Sequence, residues 1–205
     1  MSKSVFDLNN QNSSIENKIV CSLERVSQAF RVLLLNESKE YSLSPIQVQV
    51  LIFLLTHSDE KHKVSYLADE FNMTKATLSE TVKTLEHKEL IYKVFEPYDS
   101  RSYIIHLTKK GRVIAEKSSV FSEQIQVPID KLSSGDKERL LLSLLDIIRH
   151  LNKARIITIQ RMCYTCHYYE SNAKGQDHFC RLMNIKLSEV DLRIDCPEHK
   201  LLSPE

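Results

Sequence analysis

Four cysteines fall within the last forty-five residues. Cys163-Tyr-Thr-Cys166 is a C-x-x-C pair, and Cys180 and Cys196 follow after thirteen and fifteen further residues. A C-x-x-C turn offers two thiolates from one tight loop, and four thiolates complete a tetrahedral zinc site or hold an iron–sulfur cluster. Residues 161–205 have no long apolar stripe, so a reduced tail of this size needs something to hold it together. His178 and His199 lie close in sequence to Cys180 and Cys196 and are alternative ligands. Structural zinc is preferred as the commoner outcome, an iron–sulfur cluster is the alternative, and four buried thiols without metal come third. Cys21 stands apart, about 200° around a helix from Ile19. It is a candidate redox sensor, or a half-buried structural thiol.

A second constellation has the chemistry to read DNA. Over Thr74–His87, Leu78, Val82 and Leu85 line one face, while Lys75, Ser79 and Lys83 line the other, with Thr77, Glu80 and Thr81 at its flanks. An α-helix fits the major groove, where its polar face must offer side chains to base edges and phosphates. Thr74, Lys75, Thr77, Ser79 and Lys83 are the candidate contacts. Arg101 and Ser102 follow on a turn, where the long cation suits the minor groove or a phosphate.

The elements that must position these residues are mostly helices. Ile15, Ile19, Leu23, Val26, Phe30 and Leu33 recur at helical spacing and predict a helix over 14–36. Ser44-Pro45-Ile46-Gln47 combines an N-cap, a Pro at the first helical position and a capping-box Gln, opening a nearly continuous apolar helix to about Thr56. Val64 to Phe71 forms the next helix, and a short break at Asn72-Met73 precedes the Thr74 cap. Leu90 to Phe95 and Tyr103 to Leu107 read as a β-hairpin around the turn at 96–102. Thr108 caps a helix expected to run to about Gln126. Pro128 and Ser133-Ser134-Gly135 then break the chain, and a last long helix should continue to about Gln160.

Composition bounds the class. Only 3 Gly and 5 Pro interrupt the 205 residues, which favours long helices. The net charge is +1, so no global basicity advertises nucleic acid, although residues 61–117 carry 11 Lys/Arg against 8 Asp/Glu. The longest apolar run, Val50–Leu55, is far too short for a bilayer, so no membrane partner is expected. The N-terminus lacks the basic-then-apolar order of a signal peptide, and a cytoplasmic chain with reduced thiols is the expectation.

Helix, turn, helix and hairpin in this order resemble the MarR (multiple-antibiotic-resistance regulator) family. The residues that carry the resemblance are Val64-Ser65-Tyr66-Leu67-Ala68, Thr77-Leu78-Ser79, Leu85-Glu86-His87-Lys88, Leu90-Ile91, Asp99-Ser100-Arg101-Ser102 and Leu107-Thr108-Lys109-Lys110-Gly111. It covers about residues 15–160. It implies a homodimer built on the first and last two helices, double-stranded DNA with a pseudo-palindromic operator as partner, and often release by a small-molecule effector or oxidation. It also implies that Asp99 braces the wing while Arg101 enters the minor groove. Glu89 departs from the family, which usually has Gly before the strand. One C-x-x-C followed by two dispersed cysteines is similar to the ligand order of high-potential iron–sulfur proteins, whereas zinc ribbons usually carry two C-x-x-C knuckles.

The resulting expectation is a mainly α protein of α+β winged-helix type. It has a flexible arm over 1–13, a winged helix with dimerisation helices over 14–160, and a small four-cysteine metal-binding module over 161–205. Its expected function is transcriptional regulation, not enzymatic catalysis. The alternatives are a winged-helix interaction adaptor and a thiol oxidoreductase using Cys163 and Cys166. The oxidoreductase motif normally follows a strand in a βαβ unit, and here it follows a helix.

Overall fold

Ser14, Ser44, Thr74, Thr108 and Ser133 each accept, through the side-chain oxygen, a hydrogen bond from the backbone N–H three residues on. Each such cap stabilises its helix by about 1 kcal/mol. In the computed structural model, which describes residues 4–97, 99–172 and 178–202 apart from the side chains of Ser100 and Arg101, they start five of the helices. In chain order the elements are α1 (Ile15–Glu40), α2 (Pro45–Thr56), α3 (Val64–Glu70), α4 (Lys75–His87), β1 (Ile91–Glu96), β2 (Asp99–Leu107), α5 (Lys109–Ser118), α6 (Glu123–Asp130) and α7 (Ser134–Lys153). The short strands β3 (Tyr169–Ser171), β4 (His178–Cys180) and β5 (Ile185–Leu187) follow. The expected mainly α winged-helix fold is the one observed.

The apolar run of α2 explains its place. Val48, Val50 and Leu51 are fully buried, and the helix packs against α1, α4, α5 and β2 at once. Leu67, Ala68, Leu78, Val82, Leu85, Ile91 and Ile105 complete this core. The two strands of the wing are antiparallel, with Ile91 opposite Leu107 and Phe95 opposite Tyr103, and the register shifts between Phe95 and Glu96. A second, smaller cluster joins α7 to the tail through Leu145, Met162, Cys163 and Leu192. There β3, β4 and β5 form an antiparallel sheet in chain order.

Several boundaries differ from the sequence reading. The helix capped by Thr108 stops at Ser118 instead of Gln126, because the chain is pinned there by tertiary contacts. The Ser118 hydroxyl is buried and donates to Glu37 of α1, and Phe121 meets Phe30 edge-on at 6.4 Å. Pro128 lies within α6 and is not a break, and Ser133 caps α7 with Ser134 and Gly135 inside that helix. The last long helix ends at Lys153, not Gln160. Arg155 takes a left-handed φ of 58°, and the N–H groups of Arg155 and Ile156 donate back to Asn152 and Leu151. Strand β2 begins at Asp99, four residues ahead of the expected Tyr103. Residues 4–13 make a run of hydrogen-bonded turns, and the half-buried Cys21 thiol donates to the Val5 carbonyl at 3.2 Å. Among the described residues, no helix is long and apolar enough to cross a membrane.

Candidate functional site

The turn between α3 and α4 is only four residues long because Asn72 adopts a φ of 51°. Asn tolerates that left-handed conformation better than most side chains. Met73 N–H then donates to Ala68 O at 2.8 Å, closing α3, and Thr74 Oγ1 accepts from Thr77 N–H at 3.1 Å, opening α4. Leu78, Val82 and Leu85 are fully buried and set the rotation of α4. Thr74, Lys75, Thr77 and Lys83 are consequently exposed and Ser79 is half-buried. Thr81 turns inward, its hydroxyl donating to Thr77 O. The Lys83 ammonium lies 2.6 Å from Glu80 Oε1 in an open i,i+3 pair, which holds the cation only weakly.

The wing is tied to the helices by residues that the sequence pattern did not single out. Glu96 on β1 meets Lys63 Nζ at 2.7 Å, and hydrogen bonds from Lys63 and Ser102 hold its carboxyl below the usual range. Lys93 reaches Glu86 of α4 at 2.5 Å and lies over the Tyr103 ring at 5.0 Å. Asp99 is exposed at the start of β2. Arg101 belongs to β2, but its side chain, with that of Ser100, lies outside the described residues. The base of the hairpin is clamped by Thr108, whose hydroxyl donates to Glu89 O at 2.8 Å. Glu89 takes a φ of 59°, the conformation in which Gly is usual, and its N–H and that of Leu90 donate to Glu86 and Leu85. Asp59, His62 and the β2 residue His106 converge, with their ligand atoms within 4.8 Å of one another.

In the tail, a 3-10 turn over Cys163–Thr165 brings Cys166 N–H back to Cys163 O at 2.9 Å. The short sheet places Cys180 opposite Tyr169, and Cys196 N–H donates to Arg161 O. Cys163, Cys166, Cys180 and Cys196 thereby line one pocket. Arg193 lines it too, its N–H donating to Cys163 Sγ at 3.2 Å and its guanidinium to Cys196 Sγ at 3.4 Å. Burial pushes the Cys163 thiol up, against the help of the Arg193 N–H. The two histidines lie elsewhere. His199 Nε2 is 3.0 Å from Thr165 Oγ1 in a different pocket, and buried His178 pairs through Nδ1 with the Tyr169 hydroxyl at 2.6 Å.

Arg161 joins this tail to the helix-turn-helix. Its guanidinium meets Asp195 at 2.6 Å and Glu70 of α3 at 2.6 Å, donates to the Tyr66 hydroxyl at 3.1 Å, and lies over the Phe53 ring. The Arg161 hydrogen bond holds the Asp195 carboxyl down at about 2, although burial works against it. Burial would lower Arg161 itself, but the carboxylates outweigh it and its pKa is raised. No sequence signal pointed to this junction, because its partners in the helix-turn-helix are more than 90 residues away.

Comparisons with known proteins agree with this architecture. Residues 41–102 match the model of the MarR family. A Bacillus subtilis (strain 168) protein, the uncharacterized HTH-type transcriptional regulator YxaD, is 30% identical over 95 residues. The match takes in 46% of this chain and spans 64% of the length of that relative. Among solved structures, Streptococcus pneumoniae FabT in complex with DNA superimposes with a TM-score of 0.59 at 22% identity, covering 68% of this chain and 99% of FabT. Staphylococcus aureus MepR in its DNA-binding conformation gives 0.56 at 23% identity, over 65% and 98% of the two chains. The MepR–DNA complex gives 0.54 at 24%, over 63% and 94%. This chain therefore has the winged-helix fold of those proteins, and about a third of it lies beyond the match.

Proposed function

We propose that this chain is a MarR-type transcriptional regulator that binds double-stranded DNA as a homodimer. The observation that carries the reading is the orientation of α4. Its apolar residues are locked into the core, which leaves Thr74, Lys75, Thr77 and Lys83 exposed on a helix that a major groove accepts. Ser79 is half-buried at the margin of that face, Ser102 is half-buried on the wing strand that Asp99 starts, and Arg101 is assigned to the minor groove from its place in the wing. The resemblance to a relative described as an HTH-type transcriptional regulator, and to FabT and MepR solved with DNA, supports the same reading.

The dimer is supported by α1. Ile15, Ile19, Leu23, Val26 and Phe30 form a stripe that remains exposed in the single chain, and Leu140 and Ile147 of α7 are exposed as well. An apolar surface of this extent on one long helix fits a self-complementary interface. Residues 161–205 form a metal-bearing module docked on the helix-turn-helix, and a small molecule of the kind that releases family members is a further expected partner.

A gel-shift titration on the promoter region of its own gene tests the reading. Lys83→Ala and Arg101→Ala should each weaken binding and reduce the salt slope by about one unit per lost phosphate contact. Equal affinity in the parent and both variants would sink it. Sedimentation of the full chain should give a dimer, and Leu23→Asp should shift it toward monomer.

A further inference from the structure

We propose that the pocket lined by Cys163, Cys166, Cys180 and Cys196 is the binding site of an iron–sulfur cluster, not of a single zinc ion. A zinc tetrathiolate has Zn–S bonds of about 2.3 Å, which puts its sulfurs about 3.8 Å from one another. Among the described residues, the trio of ligand atoms lying within 4.8 Å of one another is that of Asp59, His62 and His106; no three of the cysteine sulfurs meet that spacing. The four thiols nonetheless face one space. In a cubane cluster the irons and sulfides stand between the thiolates and spread their sulfurs to roughly 6 Å.

Besides the cysteines and Arg193, the pocket is lined by Tyr169, Met183 and Leu187, an apolar wall that limits solvent contact with a bound group. The donors are suited to thiolate sulfur. Arg193 aims its backbone N–H at Cys163 Sγ and its guanidinium at Cys196 Sγ, offsetting the negative charge that four thiolates bring. Loading by exchange with a preassembled four-iron cluster held by donor thiolates breaks four Fe–S bonds to the donor and forms four to the cysteines; the four cysteine thiol protons pass to the released donor thiolates, and no electron is transferred.

The site also has a route to the proposed DNA-reading helices. Cys196 follows Asp195, and Asp195 and the Arg161 carbonyl hold the segment that docks on Glu70 of α3. Loss of the cluster would free Cys196 and loosen that docking. This regulatory consequence rests on the DNA-binding reading; the cluster itself does not.

The test uses the full chain purified without oxygen. Iron and acid-labile sulfide in equal amounts, with broad visible absorption, are expected. A colourless protein with stoichiometric zinc, or a folded protein free of metal, overturns the proposal. Cys180→Ser should lose the visible absorption while Cys21→Ser keeps it; full absorption in Cys180→Ser overturns the assignment of that ligand. Should Cys180→Ser fail to fold, iron and sulfide analysis of the parent chain still decides. Promoter affinity measured on loaded and chelator-stripped protein should differ several-fold. A cluster-bearing protein that binds DNA in neither form would sink the DNA reading and leave the cluster standing.

Discussion

Arg161 and Asp195 are held together twice. Their backbones form an isolated parallel bridge, and their side chains pair at 2.6 and 2.7 Å in the two-pronged geometry that guanidinium and carboxylate share. With Glu70 on its other side, Arg161 is the charged rivet between the cysteine module and α3. Arg161→Ala should therefore destabilise the protein by about 3 kcal/mol. That is the lower end for unpairing a buried ion, because Asp195 is partly open to water. Thermal unfolding checks this, and proteolysis should cut selectively after residue 153.

Glu89 occupies a left-handed position that ends α4 and aims β1. A side chain there costs about 1 kcal/mol relative to glycine. Glu89→Gly should raise the unfolding free energy by about that amount, as read by denaturant titration with an unchanged m-value. A loss of stability would contradict the account.

Gly111 is the opposite case. A Cβ built on it would lie 1.9 Å from the Leu90 carbonyl oxygen, a backbone atom that cannot swing away. Gly111→Ala must push α5 off the base of the wing and should cost about 2 to 3 kcal/mol. Its N–H also donates to the Thr108 cap, so hydrogen exchange should quicken through Thr108–Arg112.

His62 is buried beside His106, with its Nδ1 3.4 Å from an Asp59 carboxylate oxygen. Burial pushes its pKa below the ordinary value, more than the Asp59 charge raises it. The unfolded chain therefore binds a proton that the folded chain refuses. Stability should be full above about pH 6.5 and decline as the pH falls below it. His62→Leu should flatten that part of the stability–pH curve; an unchanged slope would refute the assignment.

Much of the fold was legible in the sequence because its signals are local. Ser44 and Gln47 cap one another within a single turn, Thr74 caps α4, and the 3.6-residue rhythm of Leu78, Val82 and Leu85 already assigns the outward face of the proposed reading helix. The ends of α5 and α7 were not legible. The usual stop signals were absent, and the helices end where Phe121 turns onto Phe30 and where Arg155 accepts a conformation normally left to glycine.

The cysteine tail divides the same way. The number and spacing of Cys163, Cys166, Cys180 and Cys196 already grouped them as one candidate ligand set. The tertiary structure lined one pocket with those four, sent His178 and His199 to other partners, and joined the module to α3 through Arg161. The physical reason is range. Caps and periodicities are satisfied within a few residues of themselves, whereas a cavity wall and a buried ion pair exist only once distant segments have packed.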